Sequence, residues 1–336
     1  MSGGRAAPGA PKIAAPEAGA KAGAKGSGDR LDWIDVARGI GIVAVVVGHV
    51  WTRGGVRDFV YAFHMPLFFL LSGYLMQPRP ALSFARRQMA TQGLSYIAWL
   101  VVLVALDFAV EGMKGQRPIF HDWPDDVGRI AFGGSELRGP FTVFWFVPCL
   151  IVARIIANAL AGRWGDPRGE AWWVIGGVAA LVAYGVGAMT DVSPLGLLTV
   201  PMALLLLWIG WLWRDVAWRP WMWGVFTVVG LGVVMAAPTL NMKAGDYGWP
   251  VLSVAAAVAL SFLIFWIAQW PLPGRRVLGW LGSGALTIMY LHVAIIHYLT
   301  PYLGKWMLLA LALLVPVVVH GLLRSNRVTA RLFLGG

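Results

Sequence analysis

Charge and cysteine are what this 336-residue chain has least of. Only 13% of its residues are charged, about half the usual share of a soluble domain. Its single cysteine, Cys149, excludes a disulfide framework and a cysteine-based zinc site. Acidic residues number 16 against 27 Lys and Arg, leaving a formal net charge of +11. No GxSxG, HExxH, P-loop or GxGxxG pattern occurs, so serine-hydrolase and metalloenzyme readings have nothing to build on, and no metal is expected. Large apolar side chains are almost missing from residues 1–29, which are mostly Ala, Gly, Pro and Lys. Such a segment cannot offset its ordering entropy, and it has no apolar core of a secretory signal. It reads as a disordered, basic cytoplasmic tail. No internal repeat stands out, which lowers the case for an inverted-repeat transporter.

What the rest of the chain has in excess is hydrophobicity. Apolar residues make up 58% and the mean hydropathy is +0.69. A soluble fold of this size could not hide so much apolar surface, so a cytosolic globular enzyme is excluded. The 19 Trp suit a membrane protein, where indoles collect at the headgroup boundary. Ten apolar stretches of about spanning length follow one another, at roughly 33–51, 59–76, 93–112, 140–160, 171–190, 193–213, 221–239, 250–270, 280–299 and 306–323. With the N-terminus inside, the cytoplasmic segments hold 17 of the 27 Lys and Arg and the outer segments 8. That asymmetry obeys the positive-inside rule and needs no nucleic acid to explain the charge. The expected fold is all-α and polytopic, with about ten transmembrane helices and both termini cytoplasmic. The membrane domain covers 30–324 and a short cytoplasmic tail covers 325–336.

Ionisable groups inside spans are expensive and mark function or pairing. The first span, WIDVARGIGIVAVVVGHVW, places Arg38 and His49 eleven residues apart. At about 100° and 1.5 Å per residue they share a face and lie ~16 Å apart along the axis. Arg keeps its charge at any working pH and suits phosphate or carbonyl recognition, whereas His titrates near neutrality and suits general-base work. Asp35, one turn before Arg38, can instead make that arginine a structural pair, and His49 can be an interfacial histidine satisfied by water or a carbonyl. His64 opens the second span at a depth similar to His49, and Pro66 kinks or starts that helix. Ser72, Gly73 and Tyr74 form a small-residue patch suited to close helix approach. Arg86 and Arg87 precede the third span, where they either set topology or bind an anionic donor. Arg154 lies deep in the fourth span and needs a watery cavity or a partner such as Asp107; Glu111 should lie too far out. His292 sits near mid-membrane in the ninth span, close to Tyr290. His297 and His320 have no supporting context.

These stretches resemble a known family. WIDVARGIGIVAVVVGHV followed by FHMPLFFLLSGYL is similar to the start of the membrane-bound acyltransferase-3 family, closest to its fucose 4-O-acetylase-like branch. The family's Arg and His of the first helix match Arg38 and His49, and its PLFFxLSG-type segment matches Pro66–Gly73. Arg86 and Arg87 stand where the family has a basic cluster, although their spacing departs from an R-x-x-R pattern. Trp145 and Phe146 in FWFVPCL, and Gly282, Tyr290 and His292 in the late segment, also resemble it. The resemblance implies a bacterial inner-membrane O-acetyltransferase that takes acetyl from cytosolic acetyl-CoA to a hydroxyl of an extracytoplasmic or lipid-linked glycan. It implies a catalytic set of His49, Arg38 and His64. Asp35, Arg86, Arg87, Trp145, Arg154, Tyr290 and His292 are then candidates for binding donor or acceptor. Two alternatives stay open: a transporter or flippase for a glycan or small anion, and the same fold transferring another acyl group such as succinyl.

Overall fold

In an apolar medium every backbone N–H must be satisfied within the chain, so Val- and Gly-rich stretches that are poor helix formers in water become helical. The computed structural model of the protein describes residues 26–236 and 239–335, with side chains from Asp32 onward. Among them it contains helices and turns, with a single isolated β-bridge between Asn241 and Asp246. The basic tail expected over 1–29 lies outside the described residues as far as residue 25, and the first helix begins at Gly26.

That helix, α1 (Gly26–Val50), is followed by a short α2 (Gly55–Tyr61) and by α3 (His64–Tyr74). Pro66 lies in the first turn of α3, where its missing N–H is an orphan in any case, so it starts the helix without kinking it. Next come α4 (Ala81–Gln88), a π-helical turn over Met89–Gly93, and α5 (Leu94–Met113). Beyond α6 (Asp125–Phe132) and two 3₁₀ turns lie α7 (Phe146–Trp164), α8 (Glu170–Met189), α9 (Val200–Trp213) and α10 (Pro220–Ala236). The last four long elements are α11 (Leu252–Ile267), α12 (Arg275–Ser283), α13 (Ala285–Leu299) and α14 (Lys305–Arg324).

Six of the ten expected stretches form helices long and apolar enough to cross a membrane. A seventh, α12 with α13, is bent by 83° at its break. The other three form shorter helices: α3 has 11 residues, α10 has 17 and α11 has 16. The chain is thus an all-α polytopic membrane protein with six to seven spans by length and composition.

Burial separates a central layer from a lipid-facing one. The α1 span is 67% buried, whereas the α8 and α14 spans are only 22% buried. Leu181, Val228 and Val318 point outward, the exposure that suits lipid rather than water. Two crossings fix the centre. Gly73 of α3 meets the Leu207 carbonyl of α9, and Gly210 of α9 meets the Leu70 carbonyl of α3. A Cβ at either glycine would overlap the facing oxygen, so the two backbones touch directly. The α1–α12 crossing is built alike: Gly39 lies on the Leu278 carbonyl and Gly282 on the Asp35 carbonyl. With α12 held along α1, the 83° bend sends α13 past the far end of α1 and brings His292 against His49.

Candidate active site

Three histidines from three helices meet at one end of α1. The His49 and His292 rings lie 5.1 Å apart by centroid, and Tyr61 bridges between His49 at 6.5 Å and His64 at 4.7 Å. His64 and His292 are almost wholly buried. The Nδ1–H of each donates to the carbonyl four residues earlier, to Val60 at 2.8 Å and to Ile288 at 2.7 Å. A carbonyl only accepts, so Nδ1 carries a proton in both rings, and in the neutral form of each the lone pair is on Nε2. His292 Nε2 has no hydrogen-bond partner among the described residues. Among the described residues His49 has no such tether, and it is only half-buried. It opens on a cavity of about 90 Å³ that also meets Tyr61, His64, Thr142, Trp145, Asn241 and Lys243. Of the three histidines, His49 therefore has the ring free to meet a ligand, and the other two are set behind or beside it.

A second cavity, of about 260 Å³, takes Arg38 and Arg154 into its wall together with Ser72 and Gln92. Phe146 and Met289 belong to the walls of both cavities. Arg38 and His49, on one face of α1, therefore open into adjoining spaces. A third cavity, of about 150 Å³, continues the second through Ser72, Leu75 and Arg154 and adds Arg79, Arg87 and Gln88. The π-helical turn at Met89–Gly93 follows Gln88 and contains Gln92; such turns recur at functional sites because they re-aim the side chains around them. The side-chain oxygens of both glutamines are buried and have no hydrogen-bond partner among the described residues. An unpaired buried carbonyl is costly unless something donates to it, and these two oxygens belong to residues that line the arginine cavities.

Asp35 accepts a hydrogen bond from Arg38 at 3.0 Å, with both side chains about 40% exposed. An exposed pair of this kind adds little stability and leaves guanidinium surface in the cavity. Arg154 has no carboxylate partner among the described residues and lies 5.8 Å over the Phe84 ring. Of the two possibilities for Arg154, it faces a cavity and does not pair with Asp107. That carboxylate accepts from Tyr298 Oη at 2.6 Å and from the Ile119 N–H at 2.7 Å, while Glu111 pairs with Lys114 at 3.1 Å.

The remaining candidates divide. Trp145 joins His49 and His64, and Arg87 joins Arg154. Arg86 is exposed, although it adjoins Arg87 in the chain. Tyr290 is buried between Trp99 and Phe144 and reaches none of these cavities. Of the Ser72–Gly73 pair, the glycine makes the helix crossing and the serine lines the cavities. Sequence reasoning missed Gln88 and Gln92, which carry no motif. It missed Thr142, Asn241 and Lys243, which lie in connections far from α1 in the chain. Lys243 sits in the hairpin between α10 and α11, and its Nζ donates to Thr142 Oγ1 at 2.7 Å and to the Leu137 carbonyl at 3.1 Å. Burial, with Arg138 nearby, lowers its pKa to about 8.

A bundle of membrane helices enclosing a histidine cavity and adjoining arginine cavities defines a polytopic membrane protein with a buried polar site. The chain belongs to the acyltransferase-3 family, whose acyltransferase-domain model matches residues 31–323. It is accordingly a membrane acyltransferase. No match is found among curated proteins or among solved structures.

Proposed function

We propose that the protein is an O-acetyltransferase of a bacterial inner membrane, moving acetyl from cytoplasmic acetyl-CoA to a hydroxyl of an extracytoplasmic or lipid-linked glycan. The observation that carries this reading is the pair Arg38 and His49, about 16 Å apart on one helix face, opening into cavities that share Phe146 and Met289. A charged nucleotide needs cations, and its arm needs a narrow passage. The side cavity offers Arg79, Arg87 and the unpartnered oxygen of Gln88, and the larger one offers Arg38, Arg154 and that of Gln92. The amides of a pantetheine arm supply the N–H groups those oxygens require. With the N-terminus inside, the arginine cavities face the cytoplasm and the histidine cavity faces outward.

His49 is the general base. Its imidazole takes the proton of the acceptor hydroxyl as that oxygen bonds to the acetyl carbonyl carbon. The carbon–sulfur bond then breaks, and the departing thiolate recovers the proton from the imidazolium. Electrons and protons balance without a further reactant. His292 and His64 hold neutral rings around His49, and Arg38 with Arg154 carries the anionic charge of the donor. Transfer is direct in this scheme, with no acetyl-enzyme intermediate required.

Inside-out vesicles given labelled acetyl-CoA test the reading. Wild type should release CoA and label the lipid-linked glycan fraction. His49→Ala should lose about 10²–10⁴-fold in rate, the usual worth of general acid–base catalysis. Full activity of that variant at normal expression would overturn the assignment of His49, and sugar movement without CoA release would replace transfer by transport.

A further inference from the structure

We propose that the acceptor carries an anionic group, a sugar carboxylate or a phosphate ester, and that Lys243 binds it beside His49. The inference deepens the acetyltransferase reading and rests on it for the word acceptor. Lys243 and His49 belong to the wall of one cavity. An ammonium has three donors, and the partners of Lys243 are two neutral oxygens, the Thr142 hydroxyl and the Leu137 carbonyl. Among the described residues no carboxylate lies within ion-pair distance of it. A partly buried cation without a counter-ion is unusual, because burial is normally offset by pairing.

The charges around it have the same sign. Arg138 is near enough to depress the lysine's pKa. Arg57 lies 4.1 Å over the ring of Tyr61, itself a wall of the cavity. The acids nearby are engaged elsewhere: Asp58 with Arg57 at 3.5 Å, and Asp246 with the Gly248 N–H at 3.0 Å. His64 and His292 present lone pairs or buried faces, so they add no acid to the site. Trp145 and Asn241 supply an aromatic face and an amide, a combination suited to a sugar ring. One molecule with a hydroxyl at His49 and an anionic group at Lys243 uses all of these features at once. A neutral sugar would leave the lysine uncompensated.

The test uses the full-length protein in nanodiscs, with methyl glucuronide, glucose 1-phosphate and neutral methyl glucoside as probes, and reads binding from tryptophan fluorescence. At least one anionic sugar should bind tenfold or more tightly than the glucoside, less so at high salt. Lys243→Met should abolish that preference and Lys243→Arg should keep it, with unchanged thermal midpoints showing that both variants fold. Preference for the carboxylate would indicate a uronate-type acceptor, and preference for the phosphate a lipid-linked ester. Equal binding of the three probes, or binding of none, overturns the proposal. So does a Lys243→Met variant that keeps the preference, or one that loses kcat equally on neutral and anionic sugars. CoA release from acetyl-CoA is measured separately. Lysine-dependent anion binding without any CoA release would sink the transferase reading and leave the anion site standing.

Discussion

His292 shows how much a residue's role depends on what its second nitrogen does. With Nδ1–H tied to Ile288, its Nε2 lone pair is free to accept from the adjacent His49 ring and to set that ring's tautomer. Replacing His292 with Phe should lower kcat by up to about 10²-fold, the usual effect of a misplaced reacting group. The KM for acetyl-CoA should stay nearly unchanged, since His292 reaches none of the arginine cavities. Steady-state kinetics in nanodiscs separates the two parameters, and a rise in KM alone would contradict this role. Lys243 makes the second residue-scale prediction. A lysine with pKa near 8 is charged below that pH and neutral above it. Anionic sugar should therefore bind well at pH 7 and weaken as pH rises through about 8, well before an ordinary lysine would titrate. The groups facing Lys243 are Thr142, Leu137, Arg138, His49 and His64. A binding profile flat up to pH 9 would count against this.

At the scale of the element, function depends on helices that touch through glycine. The α3–α9 crossing positions His64 above and Ser72 below, and it tolerates no side chain at Gly73 or Gly210. Gly73→Leu forces overpacking of the type that costs roughly 1–3 kcal/mol or more, and a lower thermal midpoint should show it. Gly177 of α8 has open space around its Cβ position, so Gly177→Ala should leave the midpoint unchanged or slightly raised. Equal behaviour of the two variants would mean that the crossing is looser than described. The small-residue patch at Ser72–Tyr74 was legible in the chain as a packing signal. The partner helix was not, because a glycine's neighbour is chosen by tertiary approach and not by local pattern.

For the whole molecule, the arrangement predicts a passage with distinct ends. Met289 stands where the histidine cavity and the larger arginine cavity adjoin. Met289→Trp should block acetyl transfer by tenfold or more while CoA still raises the thermal midpoint, because the arginine end stays open. Loss of CoA binding in that variant would argue that the donor enters elsewhere. Orientation can be read with cysteine labelling, because the native Cys149 is fully buried and silent. A cysteine at exposed Asp246 should react with an impermeant maleimide on intact cells, and one at exposed Asp166 only after permeabilisation. The reverse pattern would place the arginine cavities outside and remove the cytoplasmic donor site.

Composition alone determined the solvent of this protein. Low charge and long apolar stretches demand lipid, lipid demands helices, and the Arg38–His49 spacing places both groups on one face. Composition and helical spacing are local, one-dimensional properties, which is why these features were legible. The bend between α12 and α13, the meeting of His292 with His49, the withdrawal of Tyr290 into the core and the arrival of Lys243 from a distant hairpin were decided by packing. Asp107 shows the physical reason: a carboxylate in a span needs a donor, but which donor reaches it depends on how the helices cross, and here the donors are Tyr298 and a loop N–H, while Arg154 is left facing a cavity.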